Sequence, residues 1–161
     1  MAAFRGNRVE WEYIQTNPAP PEKVFPLLCP VREGDWLPEW QYRLIYSDSG
    51  VAELGCVFTT PGTPGSGSAE RTWIVTEYDR ANYRVGFVWI DPGRIITELG
   101  IQLESAGTGV THTKIRYRYT GLSEEGNREL ESYDREWFEA RLRNWETTMN
   151  HYLRTGKKMS A

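Results

Sequence analysis

Residues 9–15 read Val-Glu-Trp-Glu-Tyr-Ile-Gln, apolar and acidic by turns. Val9, Trp11 and Tyr13 fall on one face and Glu10 and Glu12 on the other, the period of two that predicts a half-buried strand. Asn17-Pro18-Ala19-Pro20-Pro21 stops it, because proline brings no N–H to a ladder. The same prolines suit the first turn of a helix, with Glu22 near the positive end of its dipole. Val24, Phe25, Leu27 and Leu28 give that helix an apolar side. Pro26 makes it short or kinked, and Pro30 is expected to end it. Residues 31–40 (VREGDWLPEW) are expected to form a second short helix or turn whose Trp36, Leu37 and Trp40 need burial.

From Gln41 the pattern becomes a series of short strands: Gln41–Ser47, Gly55–Thr60, Arg71–Tyr78, Tyr83–Ile90, Arg94–Glu104 and Val110–Thr120. Asp48-Ser49-Gly50, Asp79-Arg80-Ala81-Asn82, Asp91-Pro92-Gly93 and Ser105-Ala106-Gly107-Thr108-Gly109 carry turn chemistry between them. Strands joined by turns at this spacing predict an antiparallel meander. Pro61 to Ala69 (PGTPGSGSA) has no apolar anchor and is expected to be a mobile loop at a pocket rim.

The last quarter of the chain turns polar and helical, from Ser123, an N-cap type, to about Thr155, with Gly156 as the residue that ends the helix. At about 100° per residue, Phe138, Arg141, Trp145, Thr148, Met149 and Tyr152 form one stripe. Trp137 lies at its edge, and Asp134 continues it at the N-terminal end.

The chain has 161 residues, enough for one domain (1–161, core about 8–155) with a real core. Its seven Trp, nine Tyr and five Phe bring large buried areas, and the Trp and Tyr bring polar tips as well. The net charge of −3 argues against a nucleic-acid partner and against an anionic membrane surface. No apolar run reaches the roughly 18 residues that span a bilayer, and the first residues have no apolar signal core. The expected location is the cytoplasm, where Cys29 and Cys56 are ordinary small apolar residues.

One strand, two short helices, six strands and one long helix make an α+β architecture. A curved antiparallel sheet of about seven strands needs its apolar face covered, and only the C-terminal helix is long enough to cover it. This order resembles the helix-grip fold of the START/Bet v 1-like (SRPBCC) superfamily. The stretches Cys29-Pro30-Val31-Arg32-Glu33-Gly34-Asp35-Trp36-Leu37-Pro38-Glu39-Trp40, Ile45-Tyr46-Ser47-Asp48-Ser49-Gly50 and Tyr117-Arg118-Tyr119-Thr120-Gly121-Leu122-Ser123 resemble a bacterial subgroup of that superfamily with no assigned function. Superfamily members include lipid carriers, hormone and polyketide binders and aromatase/cyclases. The resemblance implies a fold and a pocket; it brings no catalytic motif, because fold does not carry function.

Strand alternation selects the residues that face the helix. They are Trp73 and Val75; Tyr83, Val85, Phe87 and Trp89; Ile95, Thr97, Leu99, Ile101 and Leu103; and Thr113, Ile115, Tyr117 and Tyr119. Together with the helix stripe they give a candidate ligand-binding set: Trp73, Val75, Phe87, Trp89, Leu99, Tyr117, Tyr119, Asp134, Trp137, Phe138, Arg141 and Trp145. The same residues would otherwise fill a close-packed core. The excess of Trp and Tyr favours an aromatic-lined cavity, since their polar tips suit a partly wet pocket. Arg141, mid-stripe, is expected to be buried and to serve as a ligand handle, to bridge to Asp134, or to snorkel out at the helix edge. Glu77 shares the phase of Trp73 and Val75 and is a candidate acid, but its place near the strand end favours exposure. His112 and His151 form no site, and no metal-ligand spacing, nucleophile elbow or phosphate loop is present. No cofactor is expected.

Three functions follow. The first is binding of a hydrophobic small molecule of lipid, polyketide or aromatic type, by a monomer or homodimer. The second is a metal-free cyclase/dehydratase-type enzyme, which needs an acid or base in the cavity: Asp134, Arg141, Glu77 or a tyrosine. The third is a protein-interaction module, for which Trp36 and Trp40 are the only candidate exposed patch.

Overall fold

A computed structural model describes residues 2–62 and 70–160; the expected loop beyond Gly62 lies outside the described residues. The order is β1 (Arg8–Asn17), α1 (Pro21–Val24), a 3-10 turn (Phe25–Leu28), α2 (Pro30–Glu33), β2 (Arg43–Tyr46), β3 (Val57–Pro61), β4 (Glu70–Asp79), β5 (Arg84–Asp91), β6 (Ile95–Gly107), β7 (Val110–Gly121), α3 (Glu124–Leu130) and α4 (Arg135–Thr155). The proline expected to end the first helix instead starts another: Pro30 is the first residue of α2, behind the extended Cys29. Its missing N–H costs nothing at that position. Pro26 acts as expected, turning α1 into a tighter 3-10 turn.

The seven strands form one antiparallel sheet in the order β1-β7-β6-β5-β4-β3-β2. β1 closes on β7 with Arg8 opposite Thr120 and Asn17 opposite Thr111. One row across the sheet reads Trp11, Tyr117, Leu99, Phe87 and Val75; the next reads Tyr119, Thr97, Trp89 and Trp73. Both rows face inward. Glu10, Glu12, Lys114, Arg116, Arg118 and Glu98 face outward, where they pair with one another.

The alternation changes phase once. β4 and β5 shift register between Val75 and Glu77, and the unpaired Thr76 turns Glu77 out to solvent and Tyr78 inward. A bulge that inserts one residue reverses every face beyond it. Glu77 is therefore exposed and is no cavity acid. The bulge also explains Gly86: a Cβ there would lie 3.2 Å from Glu77 Cβ and 3.3 Å from Thr76 Oγ1.

The C-terminal helical segment is two helices. Ser123 caps α3, its hydroxyl accepting from Gly126 N–H at 3.0 Å, and Asp134 caps α4, its carboxylate accepting from Trp137 N–H at 2.8 Å. α4 lies on the sheet with Phe138, Leu142, Thr148, Met149 and Asn150 buried. Phe138, Leu142, Trp145 and Met149 are spaced by four, three and four residues, so Leu142 takes the centre of the stripe. Arg141, one position earlier, is exposed. Of the alternatives open for Arg141, this agrees with a head that reaches out at the helix edge and not with a buried guanidinium, and no Asp134–Arg141 ion pair occurs among the described residues.

One end of the space between α4 and the sheet is closed by a polar plug. Asn17 Nδ2 donates to Asn150 Oδ1 at 2.7 Å, Thr113 Oγ1 donates to Asn17 Oδ1 at 2.7 Å, and Asn150 Nδ2 donates to the Thr16 carbonyl at 2.8 Å. Val24, Phe25, Leu28, Val85 and Leu103 are buried and belong to the main core. The aromatic rows lie towards the other end, beside the N-terminal half of α4. Among the described residues no helix is long and apolar enough to cross a membrane.

Candidate functional site

The aromatic side chains form a continuous ring-to-ring chain. Trp73 stacks on Trp89 with centroids 4.0 Å apart, and Phe58 stacks on Trp73 at 5.1 Å. Trp89 meets Tyr117 edge-on at 5.8 Å, and Tyr117 meets Phe138 of α4 at 5.4 Å. Tyr119 touches Tyr133 and Trp137, which stack on each other at 4.0 Å. Trp36 packs edge-on against Trp145 at 5.0 Å. Such offset and edge contacts each add about 0.5–1.5 kcal/mol beyond burial.

Ten of the twelve sequence-predicted residues come together here, on the inner sheet face and the facing side of α4. Val75, Phe87, Trp89, Leu99, Tyr119 and Phe138 are buried; Trp73, Tyr117, Trp137 and Trp145 are half-buried. The other two differ. Asp134 is the exposed cap of α4, its carboxylate occupied by a backbone N–H. Arg141 sits at the lip, its guanidinium 4.7 Å from the centre of the Trp137 ring.

The polar tips divide into two sets. Four indoles are satisfied within the protein: Trp11 Nε1 donates to the Tyr133 carbonyl, Trp36 Nε1 to that of Leu27, Trp40 Nε1 to that of Pro30, and Trp73 Nε1 to Thr60 Oγ1, all at 2.8–2.9 Å. Trp36 is fully buried, and Trp40 is half-buried. The exposed tryptophan patch that an interaction module needs is therefore absent among the described residues. The second set is the indole N–H groups of Trp89, Trp137 and Trp145 and the hydroxyls of Tyr117 and Tyr119. None donates to a described residue. None is a sealed orphan either: among the described residues, Gln15 Oε1 is the fully buried side-chain oxygen left without a partner. Buried polar groups are otherwise nearly always paired.

Sequence reasoning missed Glu33 and Arg71. Glu33 closes α2, and its carboxylate has no hydrogen bond or ion pair among the described residues. Burial pushes its pKa up to about 8, because a low-dielectric surrounding disfavours the charged form. Its charge acts on Tyr117, whose own pKa burial pushes up to about 12, against the opposing pull of Arg141 and Arg71. Tyr119 is raised further, again chiefly by burial. Both tyrosines therefore stay protonated donors at any ordinary pH. Arg71 pairs with Asp91 at 2.9 Å on the inner face near Trp73. The helix period could not have found Glu33, because α2 is one turn long, and Asp35 and Glu39 share its stretch with Trp36, Leu37 and Trp40. Among the described residues no group of three or more His, Cys, Asp or Glu could hold a metal.

The outer face carries an open trough of about 620 Å³ bounded by Glu10, Glu12, Glu98, Arg116 and Arg118 over Gly86 and Gly100. Trp11, Phe87, Leu99 and Tyr117 of the inward-facing row also contribute to its lining, as does Arg135 of α4.

No family model matches the chain, and no curated protein matches it. Solved structures do. Norcoclaurine synthase from Thalictrum flavum, in complex with dopamine and hydroxybenzaldehyde, superposes with a TM-score of 0.69 at 14% identity over 96% of this chain and 91% of that one. The Zhui aromatase/cyclase of a Streptomyces species gives a TM-score of 0.66 at 12% identity, covering 95% of this chain and 100% of the other. Ara h 8.0201 gives 0.61 at 16%, covering 91% and 97%. At these identities the likeness is one of fold.

Proposed function

We propose that this chain, which has the helix-grip fold of the START/Bet v 1-like superfamily, binds a hydrophobic, ring-containing small molecule between α4 and the inner face of its sheet. The observation that carries this reading is the set of unpartnered donors. Three indole N–H groups and two phenol hydroxyls, carried by β5, β7 and α4 among apolar rings, donate to no described residue. A close-packed core would leave them as costly orphans, at about 1–3 kcal/mol each. A ligand with carbonyl or phenolic oxygens would satisfy them while its rings pack on Trp89, Tyr117 and Phe138, which favours a polyketide-like or aromatic molecule over a plain lipid chain. Glu33 and Tyr117 add support. Both keep accessible surface, yet burial dominates the ionisation of both, as expected where that surface opens onto enclosed space rather than bulk water.

The test is titration with 1-naphthol, followed by quenching of tryptophan fluorescence. Binding that weakens roughly tenfold in Tyr117→Phe, the scale of one hydrogen bond, supports the reading. Absence of quenching in the parent protein, or a Tyr117→Phe variant that binds as well as the parent, overturns it.

One observation favours the cyclase/dehydratase reading as a second. Glu33 is a carboxylic acid whose pKa of about 8 keeps it largely protonated near neutrality, the state required of a general acid. Turnover of a poly-β-keto substrate by the parent, abolished in Glu33→Gln with substrate binding retained, would establish it. Equal product profiles with and without protein would dismiss it.

A further inference from the structure

A separate cavity of about 200 Å³ lies where the 3-10 turn, the loop before β3 and the β4–β5 turn meet. Its walls are Phe25, Leu28, Val51, Ala52 and Val85, and none of the twelve residues predicted for the aromatic site borders it. An apolar cavity of about 150 Å³ holds one benzene ring, and drug-sized ligands take about 300–1,000 Å³. This volume therefore admits a single ring or a short branched chain.

The polar groups of the lining are Arg32, Arg80, Tyr78 and Cys29, with no carboxylate among them. Arg32 is already held by Asp35 at 2.7 Å. The Cys29 thiol sulfur accepts from Ala52 N–H at 3.2 Å and fixes the wall. Arg80 has no ion pair among the described residues, and the Tyr78 hydroxyl has no hydrogen-bond partner there. The carboxylates next in sequence are occupied: Asp79 accepts from Asn82 N–H at 3.1 Å and Nδ2 at 2.8 Å, and Glu53 accepts from the Ser47 and Ser49 hydroxyls at 2.7 and 2.6 Å. Arg80 lies near enough to Tyr78 for its charge to oppose the rise that burial imposes on the phenol.

We propose that this cavity is a second binding site, for a single-ring or short-chain carboxylate whose apolar part sits against Phe25, Leu28 and Val85 and whose anionic head meets Arg80 and the Tyr78 hydroxyl. An apolar hollow with an unpaired guanidinium and a phenol donor at its rim is complementary to a small amphiphilic anion. A neutral ligand would leave the guanidinium unused, and a larger one would not enter.

The experiment is a titration of the full chain with benzoate, read from amide chemical shifts, beside benzyl alcohol as the neutral match. Benzoate should shift Val51, Ala52 and Val85, and benzyl alcohol should bind more weakly. Arg80→Gln, on an exposed turn where folding is not at stake, should weaken benzoate roughly tenfold, the scale of a charged hydrogen bond, and leave benzyl alcohol unchanged. Ala52→Leu fills the hollow and should abolish both. Shifts confined to the aromatic site, equal binding of the two probes, or unchanged benzoate affinity in Arg80→Gln overturns the proposal. Quenching by 1-naphthol serves as the control, since it reads the other site and should survive both substitutions.

Discussion

Arg141 covers Trp137: its guanidinium lies 4.7 Å from the centre of the indole, and that indole stacks on Tyr133 on its own terms at 4.0 Å. The arginine is exposed and carries no ion pair with Asp134, yet its charge reaches the Tyr117 and Tyr119 hydroxyls. It is a lip residue, not a core residue. We expect Arg141→Met to change stability by less than about 1 kcal/mol in urea unfolding, the value of an exposed cation–π contact. Affinity for 1-naphthoate should fall roughly tenfold, the scale of a charged hydrogen bond, with 1-naphthol barely affected. Equal loss for both molecules, or no loss, would remove Arg141 from the site.

Glu33 makes stability depend on pH with a definite sign. Its folded pKa, about 8, lies above the unfolded carboxylate value. The folded state therefore binds the extra proton, and the contribution is fully present below about pH 4.5, the ordinary carboxylate range, and lost as pH rises through about 8. Glu33→Gln, neutral throughout, should match the parent near pH 5 and exceed it in Tm near pH 8.5. A parent and variant whose difference stays flat across that range would show that the carboxyl is solvated.

One carboxylate joins β1 to α4. Tyr13 donates its hydroxyl to Glu146 Oε1 at 2.7 Å, and the Thr16 N–H donates to Oε2 at 2.7 Å. Burial and this bond together push the Tyr13 pKa up to about 12. Glu146→Ala should cost about 1–3 kcal/mol by chemical denaturation, since it leaves two donors short of a partner. Tyr13→Phe should cost less, because Glu146 keeps its backbone bond. The reverse order would mean that ring packing, rather than the carboxylate, sets the contribution.

The polar plug offers a contrast within one network. Asn17 is fully buried and bonded on both ends of its amide, whereas Gln15, equally buried, leaves Oε1 without a partner. Asn17→Ala should cost about 2–4 kcal/mol as the Thr113 and Asn150 groups lose partners in low dielectric. Gln15→Met, which removes the orphan oxygen at similar volume, should be neutral or stabilising. Unfolding midpoints that fall equally for both would refute the distinction.

The strands were legible because β6 and β7 alternate without interruption, so Leu99, Tyr117 and Tyr119 could be placed on the inner face from period alone. Glu77 is exposed, as its place near a strand end suggested, but the cause was hidden: a single inserted residue, Thr76, reverses the phase, and nothing in Val-Thr-Glu-Tyr announces a bulge. Which of its alternatives Arg141 would take was undecided for a different reason. It and Leu142 both lie within reach of the Phe138–Trp145 stripe, and a helix buries whichever of two adjacent positions costs less to desolvate. Glu33 was illegible because it acts through space across the fold; its neighbours in sequence do not hold its carboxyl, and the tyrosine it faces is on the seventh strand.

The pairing of β1 with β7 sets the order in which the molecule can assemble. Arg8 and Thr120 meet although 112 positions apart in sequence, whereas each neighbouring pair from β2 to β7 is local in sequence. Long-range closure comes late because chain entropy must be overcome before any contact rewards it. The β2–β7 meander can therefore zip first as a curved sheet with an open margin along β7. The first strand then docks on that margin and brings Tyr13 and Thr16 to Glu146, which adds a second hold on a helix that Tyr117 and Tyr119 already meet through Phe138 and Trp137. Until then the aromatic rows face water, and a small aromatic molecule present during refolding would meet its surface before the walls close around it.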